Sequence, residues 1–384
     1  MSADHSATDQ HHSANGHGHS AADHRQSAAD HRQLFGRMPK AELHLHLDGS
    51  LRPQTALELA RERGLDESLD LAGISDRLQA PEQCLDQAQL LEAFALPVAL
   101  MQDAEALERI THELVEDVAS DGTRYAEIRW APALHLAGKL DLRSSIAAVV
   151  RGARSGVAAT PRCTVRLIAT AMRSHPPAMS EAVAHETARF RDEGLTGFDL
   201  AGPEEAYPDP LLHADAFAVA REAGLGITLH AGEWGGAAQV WRALELEPAR
   251  IAHGAPAAED PALMRELAAR GVTLDLCPTS NVQAQIVPTL ADHPLPYLAR
   301  AGVPVTLSTD DRTVSRLTLV EEYVRAHEVL GLTVAELWRI NLHALRVAFL
   351  QHDEVLRADL QVEFLAFAAG EPELVAQAGA GGST

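Results

Sequence analysis

From Met38 onward, short apolar and β-branched runs alternate with longer stretches of helical periodicity. Eight such runs are read, at 41–50, 124–132, 164–172, 197–204, 226–233, 250–256, 272–280 and 304–311. Helical patterns lie between most of them, for example at 105–120, 213–224 and 260–271, and the last two close on a glycine. A repeated β-then-α order predicts a parallel sheet with right-handed crossovers. Eight units predict a closed α/β structure, the (β/α)8 TIM-type barrel. All but the third of these runs finish in polar or catalytic-type segments: HLD, RWAP, AGPE, HAGE, AHG, CPTS, STDD. Barrel active sites gather at those carboxyl ends. A doubly wound open sheet also puts ligands at strand ends, but the count of eight favours the barrel. The stretch 51–120 exceeds one crossover helix, which predicts extra helices over the barrel mouth.

The first 33 residues break this pattern, with no leucine before Leu34 and seven histidines: His5, His11, His12, His17, His19, His24 and His31. The heptapeptide SAADHRQ occurs twice in tandem, at 20–26 and 27–33. So little apolar surface cannot offset ordering entropy, so residues 1–37 are expected to be a disordered, low-complexity tail. Residues 38–384 are expected to form the barrel domain. The tail histidines read as a solvated segment or as weak metal binders. No apolar core of a secretory signal is found there, which predicts a cytoplasmic protein.

Composition narrows the function. The 384 residues carry 32 Lys+Arg against 54 Asp+Glu, a formal charge of −22, so phosphate backbones are repelled and nucleic acid is not expected as a partner. No apolar run reaches the roughly 18–20 residues of a membrane span. Three scattered cysteines, Cys84, Cys163 and Cys277, do not make a disulfide framework. Phosphate-loop, dinucleotide-binding, serine-elbow and HExxH signatures are absent, as is the HxE…PCxxC pattern of cytidine-type deaminases.

The residues that carry chemistry stand at the run ends. His44 and His46 are two apart, so one strand face presents both. His230 ends the fifth run, His253 the sixth, and Asp310-Asp311 the eighth. In a closed barrel these ends ring one mouth. Three imidazoles and a carboxylate make a ligand set for a catalytic zinc with one position open to water. Adjacent residues on a strand face opposite ways, so Asp310 and Asp311 need different jobs. Glu233, three beyond His230, becomes a general acid if a dry pocket holds it protonated. Gly202, Gly232 and Gly235-Gly236 let backbone approach a ligand.

PKAELHLHLDGS, DLAGPE, LHAGEWGG, RIAHG, CPTSN and STDD, in this order, resemble the adenosine deaminase family of metal-dependent hydrolases, over about Met38 to Leu350. The resemblance implies that His44, His46, His230 and Asp310 hold one zinc ion. It implies that Glu233 donates a proton to purine N1 and that His253 orients or deprotonates the metal-bound water. Asp311 would bond purine N7, the Gly202 N–H would meet N3, and His46 and Asp48 would contact the ribose 5′-hydroxyl. Zinc lowers the pKa of its water from 15.7 to about 7, and the resulting hydroxide would attack C6. The implied substrate is a purine nucleoside, adenosine or 2′-deoxyadenosine, and the products are inosine or 2′-deoxyinosine and ammonia.

Three motifs depart from the family pattern: Ala252 in RIAHG for RIGHG, Pro203 in AGPE for AGDE, and STDDR for NTDDP. They are expected on the pocket wall, where they bear on substrate scope. Asp48, where adenine deaminases usually have Glu, leaves room for a ribose. Aminodeoxyfutalosine is the alternative substrate. Two rival classes are a catalytically inactive nucleoside-binding barrel, disfavoured by the complete ligand set, and a two-metal hydrolase bridged by a modified lysine, disfavoured because the fourth run, GFDLAGPE, has no lysine.

Overall fold

The structure, a computed structural model, describes residues 21–65 and 68–374. Its centre is an eight-stranded parallel sheet in the order β1 to β8. The strands are β1 (Lys40–His46), β2 (Thr123–Trp130), β3 (Thr164–Met172), β4 (Leu195–Ala201), β5 (Gly226–Ala231), β6 (Arg250–His253), β7 (Thr273–Leu276) and β8 (Val305–Leu307). The ring closes just past β8. There the His46 N–H donates to the Asp310 carbonyl at 2.8 Å, and the Asp310 N–H to the His44 carbonyl at 3.0 Å. This is the predicted (β/α)8 barrel. Nearly every strand residue is buried, because helices cover the outside and side chains fill the inside, so the strands read as continuous apolar runs.

Helices Ala104–Ser120, Ala214–Glu222 and Pro261–Arg270 form where helical periodicity is strongest, and Asp103 and Asp260 cap the first and last of them. The long stretch after β1 holds four additional helices, Pro53–Glu62, Leu71–Leu78, Gln87–Glu92 and Ala95–Leu100. Gln87, Leu90 and Leu91 overhang the barrel mouth, as expected. Among the described residues, no helix is long and apolar enough to cross a membrane.

The barrel interior carries buried charge. Arg250 pairs with Glu127 and, at 3.0 Å, with Asp275, while the Tyr125 hydroxyl donates to Glu127 at 2.9 Å. Period two puts Tyr125, Glu127 and Arg129 on the inner face of β2. Each charge has a partner, without which a buried ion would be costly.

One expectation is corrected. Residues 21–37 form a helix, Ala21–Arg37, rather than a disordered tail. Composition hid two things. The SAADHRQ repeat is rich in alanine, glutamine and arginine, all good helix formers. Leu34 and Phe35 are buried, with Phe35 5.8 Å from the Tyr323 ring, and this anchors the helix to Leu319–Glu328. The His31 ring meets His327 at 4.2 Å. His5, His11, His12, His17 and His19, with the expected disorder and metal binding of that segment, lie outside the described residues.

Candidate metal centre and active site

The four expected ligands converge. His44 and His46 leave β1 on one face, His230 comes from β5, and Asp310 follows β8. The His46 and His230 Nε2 atoms are 3.1 Å apart, and Asp310 Oδ1 lies 3.0 Å from His44 Nε2 and 3.3 Å from His46 Nε2. The four donor atoms all lie within 4.8 Å of one another.

The surrounding groups aim these donors. The His230 Nδ1–H donates to Asp199 at 3.2 Å, which leaves Nε2 with a lone pair toward the centre. The His44 Nδ1–H faces the Asp275 carbonyl at 3.4 Å, with the same result. Asp199 is fixed by the Thr170 hydroxyl at 3.0 Å and by Arg129 at 3.5 Å. Burial holds His44 well below the usual histidine range and His46 down at about 3, so both imidazoles are neutral near pH 7. Burial alone would raise Asp310, but His44 and His253 keep it well below the carboxylate range. Its Oδ2 accepts the Ser280 hydroxyl at 2.7 Å. Three imidazole nitrogens and one carboxylate oxygen, with a buried His44 Nε2 that has no hydrogen-bond partner, suit a divalent metal ion. His253, Cys277 and Asp310 also approach one another, but burial pushes the Cys277 thiol well up, so it is a poor thiolate ligand.

Asp310 and His253 both carry left-handed backbone, with φ of 67° and 64°. This conformation is uncommon outside glycine and is kept at sites where the surroundings enforce it. It turns each side chain from the strand end back over the mouth.

Glu233 and His253 face the same space. His253 Nε2 is 3.8 Å from Glu233 Oε1 and 3.8 Å from Asp310 Oδ2. Burial pushes the Glu233 carboxyl up to about 8, and Asp310 and Glu204 add to this against the pull of His230. Asp311 is raised well above the carboxylate range by burial and by Asp310 and Asp48 beside it. Asp48 is pushed up by burial to about 6. Asp48, Gly202, His46, Glu233, Asp310 and Asp311 all line one pocket, whose outer wall is Leu90, Leu91, Phe94 and Leu134. Gly202 has φ of 106°, open to glycine and closed to most residues.

Beyond this geometry lies the family. The adenosine deaminase sequence profile matches residues 39–362. The chain belongs to the adenosine deaminase family. An adenosine deaminase of Mycobacteroides abscessus is 40% identical over 339 residues, 83% of this chain and 92% of that protein. An adenine deaminase structure from Arthrobacter aurescens superposes with a TM-score of 0.79 at 26% identity, covering 86% of this chain and 99% of that one. A zinc-bound amidohydrolase from Burkholderia ambifaria gives 0.79 at 26% identity, covering 94% and 97%. Membership in the adenosine deaminase family makes this chain a metal-dependent hydrolase.

The departures from the adenosine deaminase pattern do not line the pocket as expected. Ala252 is fully buried within β6. The Ser308 hydroxyl accepts the His44 N–H at 3.2 Å and so ties β8 to β1. Arg312 pairs with Asp121 at 2.5 Å. Ala252, Ser308 and Arg312 belong to the barrel frame, and none of them or Pro203 lines the pocket.

Sequence reasoning missed four supports: Asp199, Arg129, Glu204 and Gly49. Asp199 and Arg129 could have been found as charges on strand faces that must point inward. Glu204 and Gly49 carried no comparable signal, because their work depends on which loops meet.

Proposed function

We propose that this protein is a zinc-dependent adenosine deaminase, converting adenosine and 2′-deoxyadenosine to inosine and 2′-deoxyinosine with release of ammonia. His44, His46, His230 and Asp310 would hold one zinc ion. Bound there, the ion supplies a Lewis acid that activates water for attack at purine C6. Glu233, protonated at neutral pH, donates its proton to N1 as the ring loses aromaticity. Purine N7 is an acceptor, so its partner must carry a hydrogen. Asp311, held protonated in the buried pocket, donates O–H to it. The Gly202 N–H serves N3, and Asp48 with the exposed edge of His46 serves the ribose 5′-hydroxyl. His253 contacts the oxygen that adds at C6. The observation that carries this reading is the convergence of the His44, His46, His230 and Asp310 ligand atoms within 4.8 Å of one another, beside the buried Glu233.

The substrate class follows from the wall. The pocket lining contains no lysine or arginine, and its acidic groups disfavour a phosphate. This supports a nucleoside over a nucleotide. Aminodeoxyfutalosine, an adenine nucleoside derivative, is the alternative. Steady-state rates on adenosine, 2′-deoxyadenosine, adenine and aminodeoxyfutalosine test the choice. Adenosine is expected to have the highest kcat/KM; negligible adenosine turnover beside fast turnover of another compound rejects it.

A further inference from the structure

Two buried residues stand behind His253. The Asn281 amide bridges two imidazoles, with Nδ2 3.0 Å from His253 Nδ1 and Oδ1 3.0 Å from His293 Nε2. All three side chains are buried. An amide can be turned end for end, so the direction of these bonds needs an anchor outside it. The backbone provides one. The Leu295 N–H points at His293 Nδ1 at 3.1 Å, and a backbone N–H only donates. His293 Nδ1 therefore accepts, and the single proton of the neutral ring sits on Nε2. Burial lowers His293 to about 3, which keeps the ring neutral.

The order then propagates. The His293 Nε2–H faces the acceptor end of the amide, Asn281 Oδ1. The donor end, Nδ2, gives a hydrogen to His253 Nδ1. With Nδ1 accepting, the proton of a neutral His253 sits on Nε2, the nitrogen that faces Glu233 and Asp310. We infer that His293 and Asn281 are positioning residues that set the tautomer of His253, so that it presents an N–H and not a lone pair to the reacting oxygen. Of the two roles the family resemblance allows His253, orienting the water or deprotonating it, the relay selects the first. A donor aimed where negative charge develops stabilises that charge without rearrangement. This inference rests on the deaminase reading for its catalytic consequence, but the tautomer itself does not.

The test uses the full-length, zinc-loaded enzyme with isotope-labelled histidine. Long-range nitrogen–proton correlation spectra distinguish the two tautomers, and the His253 signals are assigned by their loss in His253→Gln. His253 and His293 are both expected to show the Nε2–H pattern. Asn281→Asp offers an acceptor to both rings and is expected to move the His253 proton to Nδ1. It should lower kcat about 100-fold, the scale of one lost transition-state donor, with KM within about twofold. His293→Gln keeps a donor toward Asn281 and should retain kcat within about threefold, whereas His293→Leu should lose about tenfold or more. An Nδ1–H pattern for His253 in the unmutated enzyme overturns the inference, as does Asn281→Asp with unchanged tautomer and kcat. Should the variants fail to fold, the unmutated spectrum still decides. The expected tautomers in an enzyme that does not turn over adenosine would overturn the deaminase reading and leave the relay standing.

Discussion

The Glu204 carboxylate holds the turn that carries Glu233. It accepts the backbone N–H groups of Gly232, Trp234 and Gly235 at 3.0, 2.9 and 2.8 Å, so its contacts bracket the acid on both sides. Glu204 is buried, with Arg173 3.7 Å away. Its charge also helps keep Glu233 protonated. One residue therefore holds the acid in place and adds to the burial that keeps it protonated. Glu204→Gln removes the charge and one acceptor. The expected outcome is a kcat about tenfold lower, with the alkaline limb of the pH profile moved to lower pH. Steady-state kinetics across pH check both.

The pH dependence has a definite sign. Glu233 is raised by burial to about 8, and the reaction uses its protonated form. The proton is on below that pH and off above it, so kcat/KM falls as pH rises through the transition. A divalent ion beside the carboxyl favours the charged form and draws the limb below about 8. Glu233→Gln is neutral at all pH but cannot give up a proton. It should bind zinc normally and lose roughly 100-fold or more in kcat. Metal content and kcat measured together test this; near-intact activity would remove Glu233 as the donor.

Gly49 makes room for Asp311. A Cβ at Gly49 would fall 1.7 Å from Asp311 Oδ1, an oxygen that has no hydrogen-bond partner within the protein. The constraint is a close approach and not a backbone angle. Gly49→Ala must push Asp311 off its position. A rise in KM for adenosine of about tenfold is expected, the scale of one lost hydrogen bond to the base. Initial rates over a range of adenosine concentrations measure it.

Metal removal should also be visible in stability. An ion that binds only the folded chain stabilises it, by about 2.7 kcal/mol at 100 times its Kd. Prolonged dialysis against a chelator is expected to abolish activity and to lower Tm by a few degrees, and added zinc should restore both. Calorimetry reads the shift.

The fold was largely legible in the sequence. All eight strands overlap the runs that predict them, and the third matches at both ends, Thr164–Met172. The others stop earlier than their runs, as β8 does at Leu307, because the polar ends are loops over the mouth. The convergence of His44, His46, His230 and Asp310 was legible too, since the barrel brings strand ends together. Helix Ala21–Arg37 was not, because two buried side chains decide it against an otherwise solvent-loving composition. The supports were not legible for a different reason. Glu204, Asn281 and His293 act through hydrogen bonds between segments, and no local pattern records which loop a side chain will meet.

The central claim is that His44, His46, His230 and Asp310 hold one zinc ion beside Glu233. Anomalous diffraction from crystals of the zinc-loaded protein, collected across the zinc edge, tests it most directly. The account predicts a single strong peak about 2.0–2.2 Å from the Nε2 atoms of the three histidines and from an Asp310 oxygen. A peak elsewhere, or none among these four side chains, would contradict it.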